Sequence, residues 1–357
     1  MARFRALAAC VCLLLLAGCS HWRPDGLVAP GPPAGSALPA AALAPLPAPR
    51  PSTAAFDYVR RPDGPPVELS LEERRNGYRV WHLWMPSAGD NGQPGRRVEG
   101  RYYESVRPGA KPLVVVLPIY GKSAYPSRKL ARYLTRARTD AADVNVLRLL
   151  GNENLYRPEL LAAARDEGEL VAEIEATARR MVTTVVDVRR LLDWAERRPE
   201  VDRDRLGVVG FSFSSALASL AMAADPRFGA GVFFMGGGHV HEIFAHCHGN
   251  EVADARQVLR RALGRSDDQL ARLLDEPLAM VDPVRLAPLL AGRPVLLADS
   301  PIDRVIPESS RRDLWEALGR PQRLVFRLSH RTAFLTMTPL GLDYANRKIR
   351  RFLDESL

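Results

Sequence analysis

One short stretch constrains this chain more than any other. The apolar run Leu206-Gly207-Val208-Val209 enters Gly210-Phe211-Ser212-Phe213-Ser214 and leaves as Ser215-Ala216-Leu217-Ala218-Ser219-Leu220. Its three parts read as a buried strand, a sharp turn and a helix. A turn this tight needs a small residue two places before the serine, because the backbone there is strained and close to its neighbours. The helix behind the serine presents its amino end, where negative charge is stabilised.

Strands and helices alternate on both sides of this turn. Residues from about Phe56 to Ser105 include Tyr78-Arg79-Val80-Trp81-His82-Leu83-Trp84 and Val98-Glu99-Gly100-Arg101-Tyr102-Tyr103, which alternate like antiparallel strands at the leading edge of a sheet. Lys111 to Leu117 reads as a buried strand, Ser127 to Ala137 as a helix with Leu130, Tyr133 and Leu134 on one face, and Val144 to Leu149 as the next strand. Val171, Ile174, Ala178, Met181, Val185, Val188, Leu192 and Ala195 recur at helical spacing in a long helix that Pro199 stops. Gly231 to Met235 is the strand after the serine's helix. The period predicts an α/β class protein, a doubly wound, mostly parallel sheet with helices on both faces. No internal repeat is evident.

Two later strand ends carry further chemistry-bearing residues. Pro294-Val295-Leu296-Leu297-Ala298 is followed by the loop Asp299-Ser300-Pro301-Ile302-Asp303-Arg304-Val305-Ile306-Pro307, and Arg323 to Leu328 is followed by Ser329-His330. Here the chain resembles the α/β-hydrolase superfamily, especially its dienelactone-hydrolase and prolyl-oligopeptidase-like branch. In that branch a V-D-x-x-R-[IL]-G-V-x-G-x-S-x-G stretch and a D-x-x-[VI]-P loop recur. Val201-Asp202-Arg203-Asp204-Arg205-Leu206-Gly207-Val208-Val209-Gly210 and Asp303-Arg304-Val305-Ile306-Pro307 match them, with Ser214 standing where the branch has its last glycine. The resemblance implies a nucleophile, an acid and a base in the order Ser212, Asp303, His330, each at a strand's carboxyl end. Asp299, nearer the strand end, is the rival acid.

A serine hydroxyl is a weak nucleophile, so His330 is expected to take its proton during attack on a carbonyl and return it to the leaving group, while Asp303 holds the imidazole tautomer. The oxyanion hole implied by the resemblance uses the backbone N–H of Phe213 and one from the loop Pro118-Ile119-Tyr120-Gly121-Lys122-Ser123. Relatives often read His-Gly-x-Gly in that loop, which puts Tyr120 at the donor position. This chain departs from them with Pro118-Ile119.

The amino terminus has a basic segment, Met1-Ala2-Arg3-Phe4-Arg5, an apolar run from Ala6 to Leu16 too short to span a bilayer, and Leu16-Ala17-Gly18-Cys19, which resembles a bacterial lipobox. The expectation is a signal peptide over 1–18 and a lipid-anchored Cys19, with Ser20 favouring the outer membrane. Residues 19–55 are rich in Pro, Ala and Gly, as in Ala29-Pro30-Gly31-Pro32-Pro33, and read as an extended tether to a hydrolase domain over 56–357. The formal charge of +9 falls to +7 without Arg3 and Arg5, and nearly all of its basic part is arginine. For an exported protein this points to anionic lipid or wall polymer, or to solubility alone, and no nucleic-acid partner is expected. Cys10 and Cys12 leave with the signal and Cys19 carries lipid, so Cys247 is left unpaired and no intramolecular disulfide is expected.

Between the strand ending near Met235 and the Asp303 strand lies an insertion, roughly His239 to Leu290. Gly264 ends one helix there, and Ser266 with Gln269 forms a capping box for the next, ending near Pro277. It reads as a small helical cap which, with Gly151 to Arg157, lines the mouth of the site. His239, His241, His246 and His248 with Cys247 offer metal ligands but lack a known zinc spacing, so neither a metal site nor a cofactor is assigned. The expected function is a carboxylesterase acting on a small-molecule or polymeric ester. A peptidase or acyltransferase of the same fold, or a non-catalytic binding lipoprotein, stands as the alternative.

Overall fold

The computed structural model describes residues 51–89, 97–119, 125–136, 143–151, 155 and 157–357. Cys19 and Tyr120, with most of the loop from Gly151 to Arg157, lie outside the described residues. Nine strands form one sheet: β1 (Glu68–Arg75), β2 (Tyr78–Pro86), β3 (Arg97–Ser105), β4 (Lys111–Val116), β5 (Asn145–Leu149), β6 (Val201–Phe211), β7 (Phe228–Phe234), β8 (Val295–Asp299) and β9 (Gln322–Val325). Their order is β1-β2-β3-β5-β4-β6-β7-β8-β9, antiparallel from β1 through the β3–β5 pairing and parallel from β5 to β9. The exchange of β4 and β5 makes the sheet wind in both directions, so helices cover both faces.

Strand β4 shows why the sheet centre is fixed. Leu113 to Leu117 are all 0% exposed. Leu113, Val115 and Leu117 enter one core with the long helix α3 (Glu167–Ala195), while Val114 and Val116 enter the opposite core with α1 (Tyr125–Thr135) and α11 (Tyr344–Ser356). Burying each such side chain is worth about 1.5–3 kcal/mol, so exposing the three on one face would cost an amount comparable to a domain's whole net stability of about 5–15 kcal/mol.

The helices are α1 (Tyr125–Thr135), α2 (Pro158–Ala162), α3 (Glu167–Ala195), α4 (Phe213–Ala224), α5 (Val240–His246), α6 (Glu251–Leu263), α7 (Asp267–Leu278), α8 (Pro283–Leu286), α9 (Glu308–Ala317), α10 (His330–Ala333) and α11 (Tyr344–Ser356). Asp166 caps α3 by accepting from Glu169 N at 2.8 Å. The helix ends at Ala195, four residues before the proline expected to stop it. Helices α5 to α8 form the insertion between β7 and β8. Gly264 closes α6 with φ 62°, the Ser266/Gln269 capping box opens α7, and α7 ends at Leu278, one residue beyond Pro277.

Arginine ties elements together through main-chain oxygens. Arg180 Nε donates to Leu155 O at 3.0 Å, Arg256 Nη1 to Phe244 O at 2.9 Å, and Arg350 Nη1 to Leu134 O at 2.7 Å. Arg293 reaches Met222 O, Phe228 O and Asp225 O, gathering the end of α4 and the start of β7. No described helix is long and apolar enough to cross a membrane.

Candidate active site

Ser212 stands between β6 and α4 with φ 52° and ψ −123°, a conformation that costs a non-glycine residue about 1–3 kcal/mol. The surroundings hold it there. Ser212 N donates to Phe234 O at 2.8 Å on the neighbouring strand, and Ser215 N donates to Ser212 O at 2.9 Å to close the turn. Gly210 is required by this turn, since a Cβ there would lie 2.1 Å from Ser214 O. Ser214 is already helical, so glycine's freedom is not needed at that position. Its buried hydroxyl donates to Pro118 O, tying the turn to the loop after β4.

His330 opens α10, five residues beyond β9, with Ser329 Oγ accepting from Thr332 N at its amino end. Its Nε2 lies 2.9 Å from Ser212 Oγ and its Nδ1 lies 2.7 Å from Asp303 Oδ2. Asp303 stands in the loop after β8, where its other oxygen accepts from Val305 N at 2.7 Å and Ile306 N at 3.1 Å. Those two donors fix the carboxylate, so Oδ2 faces the ring. A carboxylate at Nδ1 keeps the proton on that nitrogen and leaves Nε2 to accept from the serine hydroxyl.

Asp299 is engaged elsewhere. Its Oδ2 accepts from Arg323 Nε at 3.0 Å and Nη2 at 2.7 Å, across the β8–β9 pairing. The structure therefore brings Asp303, and not Asp299, to His330. Phe213 begins α4 directly after Ser212, which places its N–H at the helix's amino end.

An apolar cavity of about 120 Å³ opens beside Ser212, lined by Phe213, Val240, Ile243, Phe244, Val252 and Ile306 among others. Helices α5 and α6 supply Val240, Ile243, Phe244 and Val252 of this wall, so the insertion lies against the serine. The three glycines that lead into it are packing requirements. A Cβ on Gly236 would meet Ser215 Oγ at 1.4 Å, one on Gly237 would meet Ser310 Oγ at 2.3 Å, and one on Gly238 would meet Val284 Cγ2 at 2.1 Å.

The histidine-rich segment divides. His239 and His241 come together with Asp282, which the linear sequence gave no reason to join to them. His239 N and Nδ1 face the Asp282 carboxylate at 2.9 and 3.2 Å. That hydrogen bond raises the His239 pKa above the ordinary imidazole value, while burial lowers that of His241. His246 instead lies 3.2 Å from Glu242 Oε2, and His248 donates its backbone N–H to Arg304 O at 2.8 Å. Cys247 is buried and free, and burial raises its thiol pKa.

No protein-family model matches the chain, and no curated protein matches it. Its structure is similar to that of an acetyl xylan esterase from Paenibacillus sp. R4, at 18% identity over 82% of this chain and 89% of that one, with a TM-score of 0.59. Acetyl Xylan Esterase 1 from Thermoanaerobacterium sp. JW/SL YS485 is similar at 18% identity, over 82% and 88% of the two chains, with a TM-score of 0.56. An acylaminoacyl peptidase from Pyrococcus horikoshii is similar at 14% identity over 79% of this chain and 42% of that one, with a TM-score of 0.51. With the sheet order described above, these likenesses establish the α/β-hydrolase fold.

Proposed function

We propose that this α/β-hydrolase-fold chain is a serine hydrolase that cleaves carboxylic esters of short acyl groups through an acyl-enzyme. The observation that carries the reading is the continuous hydrogen-bonded line from Ser212 Oγ through His330 to Asp303, with distances of 2.9 and 2.7 Å. In the first step Ser212 Oγ attacks the ester carbonyl while Nε2 of His330 takes the hydroxyl proton. The same nitrogen then protonates the departing alcohol as the C–O bond breaks. Water repeats the cycle, giving its proton to His330 and its oxygen to the acyl carbon, which releases the acid and restores Ser212. Phe213 N–H, and a donor at Tyr120 by resemblance, would hold the oxyanion, each such donor being worth about 10²–10³ in rate.

The cavity supports a short acyl group. A dry apolar cavity of about 150 Å³ holds a benzene-sized guest, so the space of about 120 Å³ beside Ser212 suits an acyl group of a few carbons. Two of the similar structures are named acetyl xylan esterases, which supports the same size.

The proposal includes a lipid anchor on Cys19 and placement at the outer membrane, supported by the basic, apolar and Leu16-Ala17-Gly18-Cys19 segments of the leader. Intact mass of the membrane-extracted protein, showing an acylated Cys19 or an unprocessed leader, decides that part.

Fluorophosphonate labelling of wild type, Ser212→Ala and His330→Ala tests the catalytic part. Labelling is expected in wild type, absent in Ser212→Ala and sharply weakened in His330→Ala, and nitrophenyl esters of rising acyl length should peak at two to four carbons. Folded wild type that takes no label would end the hydrolase reading.

A further inference from the structure

We propose that His239, His241 and Asp282 form a binding site for a divalent transition-metal ion of the zinc class, which clasps the two ends of the helical insertion. Two imidazoles with one carboxylate are donors that suit zinc and its neighbours rather than magnesium or calcium. One ligand atom from each residue lies within 4.8 Å of the others. Tetrahedral zinc with bonds of about 2.0–2.2 Å sets its ligand atoms roughly 3.3–3.5 Å apart, so a small contraction completes the site. His239 Nδ1 and Asp282 Oδ2 already stand at 3.2 Å.

The carboxylate is prepositioned. Asp282 Oδ1 accepts from the backbone N–H groups of His239 and Val284, each at 2.9 Å, which fixes the side chain and turns Oδ2 toward the imidazole. His239 Nε2 lies 3.6 Å from Asp313 Oδ2, the kind of outer carboxylate that orients a ligating histidine through its second nitrogen. His239 has a left-handed backbone, φ 49°, and its ring lies on the side of Asp282.

His241 supplies an independent reason. Its Nδ1 is buried and makes no hydrogen bond, although Asp275 Oδ1 is 3.4 Å away. A buried polar atom without a partner is rare in a finished fold, and a bound ion is one of its ordinary explanations. Glu242 Oε1, 3.7 Å from His241 Nε2, adds to the negative surroundings. Arg285 and Arg312 offset part of that charge through Asp275 and Asp313.

The position of the site suggests what it does. His239 and His241 flank the first residue of α5, and Asp282 caps α8 at the other end of the insertion. Val240, between the two histidines, and Ile243 and Phe244 on the same helix line the cavity beside Ser212. An ion there would hold the cavity wall in place. The metal site does not depend on the reading of Ser212 as a nucleophile.

The full chain, stripped with a chelator and titrated with zinc chloride in a calorimeter, tests it. The expected result is one equivalent bound by wild type with a rise in Tm of several degrees. His241→Gln, verified as folded by circular dichroism, should lose both, and His246→Gln, outside the cluster, should keep both. Cobalt in place of zinc should give the visible bands of a tetrahedral ion. Folded wild type that binds no stoichiometric zinc would overturn the proposal. So would a His241→Gln variant that binds as tightly as wild type, or a His246→Gln variant that fails to bind.

Discussion

Replacing Asp303 by Asn keeps the shape of the site and reverses one proton. The carboxamide oxygen would still accept from Val305 N and Ile306 N, now at 2.7 and 3.1 Å, so the loop keeps its anchor. Its NH₂ would then face His330 Nδ1, where the carboxylate accepts at 2.7 Å. That nitrogen must become an acceptor, the proton moves to Nε2, and Ser212 loses its base. Reversal of the tautomer in a serine triad costs about 10⁴ in kcat, or roughly 5.5 kcal/mol. Asp299→Asn is the contrasting change. It breaks the pair with Arg323, and because the guanidinium is a quarter exposed the expected loss is about 2 kcal/mol of stability, with kcat unchanged within a few-fold. Nitrophenyl acetate hydrolysis and urea unfolding, run on both variants, separate the two effects. Activity of Asp303→Asn within tenfold of wild type, with a collapse in Asp299→Asn, would refute the assignment.

Gly210→Ala should destabilise the fold by about 3 kcal/mol in urea unfolding and abolish labelling of Ser212, because the new Cβ has Ser214 O at 2.1 Å and backbone cannot rotate aside. Phe244→Ala opens the wall of the cavity, and the ratio of kcat/KM for hexanoyl over acetyl esters should rise at least about tenfold, with a stability loss of about 3–5 kcal/mol. Burial disfavours the Cys247 thiolate, so native protein at pH 8 should react with Ellman's reagent far more slowly than protein in urea, and equal rates would contradict the burial. Burial alone would raise the Asp225 pKa, yet hydrogen bonds and charge from Arg227, with Arg189, hold it below the ordinary value. Its contribution is therefore present above the unfolded value of about 3.9 and lost as pH falls through the lower folded one, so the stability gap between wild type and Asp225→Asn should be constant from pH 6 to 8 and shrink below pH 4.

The serine's turn was legible because its geometry is local. Gly210, Ser212 and the residues around them state a strand, a strained turn and a helix within a dozen positions. The choice between Asp303 and Asp299 was less so, since one ends the strand and the other stands in the loop just beyond it, and only Arg323 on the adjacent strand engages the rival. Strand β1 escaped for a different reason. Its sequence, ELSLEERR, lies at the sheet edge with most side chains exposed, so it has no apolar period to read. Helices α9 and α11 were also passed over, their apolar positions being few among many charges. Asp282 meets His239 across 43 positions of chain, a distance that no local pattern spans. Ser214 showed the reverse. It stands where the resembled branch has glycine, and in the fold it supplies the hydroxyl that ties the turn to Pro118.

Arg180, Arg256, Arg293 and Arg350 do in this fold what sulfur bridges do in many others. Each fastens its own segment to the main chain of another, and the planar guanidinium leaves further N–H groups for other partners, an arrangement that a lysine's single ammonium cannot reproduce. A guanidinium stays protonated across the physiological range and has no thiol to oxidise or exchange. Cross-links of this kind form without an oxidase or isomerase and survive any reductant, so these joints hold equally in oxidising and reducing surroundings.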